Sequence, residues 1–263
     1  AADDLSLQIH PHDDDAALAA DQSGKPEAWY IVDADPGAGL YLGFEEGVNR
    51  DDVERALREE APLDRMMHFV PVSPGDTFVI NPGTPHAIGR GVLLVEPQRV
   101  APAKRGVTYR YWDWNRKYDQ NGQRDPAGAP RELHATRALD VTDWAGPRGD
   151  HLLQRIRHRA GIARVDGDAR LETLCGEDGP VVSSIFRIER LVGTGALELP
   201  GGESLRSLTV LDGSVRFESE EGVAELSKGR TAALPPTNES RRVVLDRSHA
   251  VLCSLAVSDR PSP

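Results

Sequence analysis

The chain has 263 residues with a formal net charge of −11; 39% are hydrophobic and 28% charged, enough apolar material for a core and too much for a disordered chain. No apolar run reaches the ~18 to 20 residues of a membrane helix, and no signal-peptide pattern opens the sequence. The acidic balance without a long basic run argues against nucleic acid and anionic membranes as partners, so an anionic ligand needs local cations from its own site.

Leu5 to His10 opens the chain as an alternating strand, with Leu5, Leu7 and Ile9 on one face and Ser6, Gln8 and His10 on the other. Glu27 to Val32 and Leu40 to Phe44 read as the next strands, separated by the turn residues Asp35-Pro36-Gly37. Arg50 to Glu60 reads as a helix, with Asp51 and Asp52 in its first turn and an apolar stripe of Val53, Ala56 and Leu57. Strands follow at His68 to Val72, Thr77 to Ile80, Ile88 to Gln98 and Val107 to Trp114.

Asp119 to Pro130 carries Asn-Gly, Asp-Pro and Gly-Ala-Pro steps and reads as a loop; Glu132 to Val141 reads as a short helix. From Val181 to Val257 many short strands are expected, ended by Gly193, Gly195, Gly201-Gly202, Asp212-Gly213, Glu221-Gly222 and Lys228-Gly229, with a frayed tail over 258–263. A weak internal echo links Ser73–Pro82 to Leu226–Pro235, each a turn, a strand and a proline turn. The expected fold is mainly β: two jelly-roll β-barrels with a few short helices. Its expected division is a barrel over 1–118, a linker with a short helix over 119–160, and a second barrel over 161–263. Cys175 and Cys253 form neither a disulfide framework nor a metal motif, which fits a reducing, cytoplasmic setting.

Gln8 and His10 lie two residues apart on one strand face, Glu27 sits on the next strand, and His86 follows the turn Pro82-Gly83-Thr84-Pro85. One amide oxygen, two imidazoles and one carboxylate suit a divalent metal of the zinc type, provided the fold brings the strands together. A jelly roll does so.

Four ordered motifs carry a resemblance: Leu5-Ser6-Leu7-Gln8-Ile9-His10-Pro11, Gly24-Lys25-Pro26-Glu27-Ala28-Trp29-Tyr30-Ile31, Pro82-Gly83-Thr84-Pro85-His86-Ala87-Ile88-Gly89 and Tyr109-Arg110-Tyr111-Trp112-Asp113. Over residues 4 to 142 the chain resembles the short bacterial form of mannose-6-phosphate isomerase, a zinc-dependent enzyme of the cupin class. The resemblance implies one Zn2+ per chain on Gln8, His10, Glu27 and His86, and interconversion of mannose 6-phosphate and fructose 6-phosphate through an enediolate. It implies Arg110 as a catalytic arginine and Lys25 as a substrate-contacting lysine with a catalytic role. It also implies Glu96 as a candidate for proton transfer; a second-shell or structural role for Glu96 stands beside that one. A guanidinium suits developing negative charge because it stays protonated and offers a fixed fork of donors.

The sequence departs from the family in three places. His12 stands where the family has an acidic residue, and is weighed as a competing ligand. Val100 to Gly106 looks like an insertion whose Lys104 and Arg105 are candidates for holding a phosphate at the site mouth; a solvated insertion is the other reading. The family carries a segment ahead of the Gln-x-His motif, so the chain reads as lacking part of its first barrel and as open to being a truncated, inactive isomerase. Trp112 and Trp114 read as packing residues and His134 as structural. The second barrel reads as metal-free. A monomer acting on a small sugar phosphate is expected; the alternative is a non-catalytic metal- or sugar-binding cupin.

Overall fold

The computed structural model describes residues 1–159, 167–219 and 222–256. The expected class holds: the chain is mainly β, two cupin-like jelly rolls with three short α-helices among the described residues. It divides into two units, one of residues 1–74 and 80–156, the other of residues 75–79 and 157–263. Among the described residues no helix is long and apolar enough to cross a membrane.

The first unit contains strands β1 (Leu7–Ile9), β2 (Glu27–Ala34) and β3 (Gly39–Phe44), helix α1 (Arg50–Arg58) and strand β4 (Met67–Pro71). After β5 (Asp76–Ile80) come β6 (His86–Ile88), β7 (Val92–Val95), β8 (Tyr109–Trp112), α2 (Ala135–Val141) and α3 (Gly149–Ile156). One sheet runs β8-β1-β6-β3-β4, and β2 pairs antiparallel with β7. Strand parity separates core from site. Leu7, Ile9, Ala87 and Tyr111 pack with Val53 and Ala56 of α1 and with Ala138 and Leu139 of α2. The intervening positions face the other way. Arg110 is opposite Gln8, Gln8 opposite His86, and His86 opposite Leu42, a row across four strands on one sheet face.

Helix α1 starts where its caps dictate. Asn49 accepts the amide hydrogen of Asp52, and the Asp52 carboxylate accepts that of Asn49. The strand expected over Ile88 to Gln98 is interrupted. Gly89 donates to the Gly39 carbonyl and Gly91 adopts φ +84°, so the chain turns before β7. Helix α3, in the segment read as a linker, has no strong starting signal in the sequence; Leu152 and Ile156 bury its apolar side.

The second unit contains β9 (Arg157–Arg159), β10 (Arg170–Gly176), β11 (Phe186–Leu199), β12 (Arg206–Ser219), β13 (Gly222–Ser227), β14 (Thr231–Leu234) and β15 (Arg241–Leu255). β9 pairs with β5. The many short strands expected here are instead three strands of 14 or 15 residues, β11, β12 and β15. The reason is that Gly193, Gly195 and Gly213 take positive φ at register shifts, so each makes a bulge inside a strand and does not end it. Leu191, Leu208, Val210, Leu245 and Leu252 fill the interior. The tail 258–263 and Glu221 lie outside the described residues.

Candidate metal centre

His10 follows β1, Glu27 opens β2 and His86 opens β6; all three are buried, and one candidate donor atom from each lies within 4.8 Å of the others. The turn before β6 ties two of them together. Gly83, at φ +83°, donates its amide hydrogen to the His10 carbonyl at 2.9 Å. The two imidazole rings lie 5.0 Å apart between centroids.

The backbone sets both tautomers. His10 Nδ1 donates to the Val107 carbonyl at 3.0 Å, and His86 Nδ1 to the Thr84 carbonyl at 2.9 Å. A carbonyl only accepts, so each Nδ1 bears hydrogen and each neutral ring has its Nε2 lone pair free. His10 Nε2 lies 3.0 Å from Glu27 Oε1, and His86 Nε2 lies 3.5 Å from Glu27 Oε2. His10 Nε2, His86 Nε2 and Glu27 Oε2 are buried without a hydrogen-bond partner among the described residues. Three converging lone pairs withheld from water are costly on their own and are what a cation of the zinc type accepts. A carbonyl on each Nδ1 is the usual outer support of a metal-binding imidazole.

Burial pushes the Glu27 carboxyl upward, but His10, His86 and Lys25 outweigh it and hold the pKa well below the usual carboxylate range. Lys25 Nζ sits 2.9 Å from Glu27 Oε1, and Gln98 donates to the same oxygen at 3.0 Å. Burial lowers His86 to about 4, so its ring is neutral. Burial, followed by the Glu27 charge, raises Glu96 to about 7.

The other residues singled out in the sequence are distributed unevenly. Gln8 is directly opposite His86 and shares its face. Arg110 shares that face too, with Nε donating to Ser6 Oγ at 3.3 Å and Nη1 to the Glu132 carbonyl at 2.9 Å. His134 fixes the Arg110 backbone from both sides: its Nδ1 accepts the Arg110 amide hydrogen and its own amide donates to the Arg110 carbonyl. His12 is exposed and outside the cluster. In the 100–106 segment, Arg105 is exposed and held by Asp21 at 2.9 Å, and Lys104 is exposed. Gly106 packs on the Lys25 stem; a side chain there would start 3.0 Å from Lys25 Cδ. Trp112 and Trp114 pack on each other, ring centroids 4.7 Å apart.

Sequence reasoning missed Trp29 and Gln98. Trp29 donates its indole hydrogen to Glu96 Oε1 at 3.0 Å and packs edge-on against His86 at 5.4 Å. Gln98 bridges to Glu27 across the strands. Glu96 and Gln98 share a strand face by parity, the available signal for Gln98; Trp29 stands two residues from Glu27 on the same strand, which was the available signal for Trp29.

The chain is similar to known proteins in sequence and in fold. The mannose-6-phosphate isomerase ManA of Bacillus subtilis is 29% identical over 236 residues, 89% of this chain and 66% of that protein. The mannose-6-phosphate isomerase of Streptococcus mutans is 35% identical over 147 residues, 56% of this chain and 42% of that protein. The chain is thus similar in sequence to curated mannose-6-phosphate isomerases. It spans less than two thirds of the length of these curated relatives. No family model matches it. In fold it is similar to the mannose 6-phosphate isomerase structure from Bacillus subtilis, with a TM-score of 0.72 at 22% identity over 96% of this chain and 72% of that one. It is also similar, with a TM-score of 0.63 at 12% identity over 98% of this chain and 77% of that one, to the Salmonella typhimurium enzyme solved with fructose 6-phosphate and zinc.

Proposed function

We propose that this chain is a zinc-dependent aldose–ketose isomerase interconverting mannose 6-phosphate and fructose 6-phosphate through an enediolate. The observation that carries the reading is the buried convergence of His10 Nε2, His86 Nε2 and Glu27 Oε2, each without a hydrogen-bond partner among the described residues. Curated relatives with this activity support the substrate assignment.

His10, Glu27 and His86 would hold one Zn2+ per chain, with Gln8, opposite His86, as the fourth donor. When bound, zinc supplies Lewis-acid polarisation of the sugar oxygens. The chain's own residues supply the rest. Glu96, with its pKa raised to about 7, is suited to taking a proton from one of C1 and C2 and returning it to the other near neutral pH. Trp29 holds that carboxylate through its indole hydrogen. Arg110 offers donors to the negative charge that develops on the sugar oxygens. Lys25 pairs with Glu27, which keeps the Glu27 carboxylate ionised, and its ammonium is a donor to the substrate. Lys104 is the exposed cation of the 100–106 segment open to the substrate phosphate, and Arg105 can join it by exchanging Asp21 for phosphate. The protein is expected to work as a monomer in the cytoplasm.

The test is turnover of mannose 6-phosphate by the purified chain, with metal content measured beside it. Activity that requires zinc and falls at least a hundredfold in Arg110→Ala is expected. A folded, zinc-loaded chain without turnover would leave the metal site and remove the isomerase, in favour of a binding cupin.

A further inference from the structure

A second polar cluster lies in the other unit, at one end of its apolar interior. On the inward face of the long sheet, Leu191, Ala250 and Val210 stand directly opposite one another across β11, β15 and β12. Two residues along, the row is Glu189, Leu252 and Leu208. Two further along it is Arg187, Ser254 and Arg206. The same face therefore changes from aliphatic to an Arg-Ser-Arg row, and that row borders a cleft of about 490 Å³ whose lining includes Gly201 and Gly202.

The two arginines differ in state. Arg187 is spent: Asp178 holds it at 2.7 Å, Glu189 at 3.0 Å and Thr173 at 3.2 Å. Arg206 is 5% exposed, and its Nη1 donates to the Pro200 carbonyl at 2.8 Å. Its Nε and Nη2 have no hydrogen-bond partner among the described residues. These two atoms form one edge of the guanidinium, with parallel donors spaced to meet two oxygens of one anion. A buried guanidinium edge left unpaired is costly, and an oxyanion in the cleft removes the cost. Gly202 packs against this edge, where a Cβ would come within 3.1 Å of Nε, so a larger residue there would crowd the guanidinium.

We propose that the cleft of the second unit binds a small oxyanion, carboxylate in preference to phosphate, on the free edge of Arg206 beside Ser254. The preference follows from charge. Exposed Glu177 and Glu203 stand on the rim and repel a second negative charge more than a first. This site uses none of the residues of the metal centre, and it stands or falls apart from the isomerase reading.

The test uses the full chain labelled with 15N-arginine, titrated with acetate and with inorganic phosphate at constant ionic strength. The Arg206 Nε–H resonance is identified by its absence in Arg206→Lys. A saturable shift of that resonance with acetate is expected, with weaker binding of phosphate. By calorimetry, Arg206→Gln is expected to weaken acetate binding about tenfold or more. Arg206→Lys keeps the charge, loses the fork, and is expected to weaken it similarly, which serves if the glutamine variant does not fold. Glu177→Gln is expected to narrow the gap between the two anions. An unmoved Arg206 resonance with either anion, or undiminished binding by folded Arg206 variants, overturns the site. Tighter binding of phosphate than of acetate overturns the carboxylate assignment.

Discussion

Glu27→Gln keeps the shape of the buried side chain and removes its charge. In the metal-free protein, Lys25 Nζ, 14% exposed, then loses a carboxylate at 2.9 Å. Removing one partner of a buried pair costs about 3–5 kcal/mol, and the residual exposure of Lys25 puts this case near the lower end. The new amide can donate to a free imidazole Nε2, which returns about 1 kcal/mol. The net loss is about 2 kcal/mol. Zinc at about a hundred times its Kd adds about 2.7 kcal/mol to a chain that binds it. The variant lacks the anionic ligand, so the gap widens to about 5 kcal/mol. Urea denaturation in chelator and in zinc reads both values. The pH dependence has a definite sign. The folded pKa of Glu27 lies below its ordinary 4.5, so its stabilisation is complete above that value and is lost as pH falls through the folded pKa. The metal-free gap is therefore flat at neutral pH and closes only in acid. A variant equal to wild type in chelator and stabilised equally by zinc would refute the reasoning.

Further outcomes follow from the same contacts. Carbon-13 NMR of metal-free protein should find Glu96 titrating near 7, and zinc should lower that value because a nearby cation favours the carboxylate. Trp29→Phe should raise it, since the indole hydrogen bond holds it down; a fall, or no change, would deny the Trp29–Glu96 contact. Tyr111→Phe should cost about 1 kcal/mol by denaturation, because Thr142 still donates to the Ala138 carbonyl and no buried acceptor is orphaned. Cys175 and Cys253 should ignore thiol reagents until the protein unfolds, as burial pushes their thiols up to about 11 and about 12.

The features legible from residue order alone are local. Helix α1 is legible because Asp51 and Asp52 stand in its first turn and the stripe of Val53, Ala56 and Leu57 has helical spacing. His10, Glu27 and His86 are legible as a donor set because strand alternation puts His10 away from Leu7 and Ile9, and a proline-glycine turn delivers His86. Pairing decided what remained. Whether a glycine ends a strand or bulges it depends on the neighbouring strand, so Gly193 and Gly213 look alike to Gly91 in sequence and behave differently in the sheet. The free Nε2 lone pairs come from the Val107 and Thr84 carbonyls, which no spacing rule assigns to these rings. Trp29 reaches Glu96 across 67 positions, and Arg187, Ser254 and Arg206 form one row only once three strands are in register. Side-chain direction is set within a strand by its period of two; which side chains meet is set between strands, and that is a property of the tertiary structure.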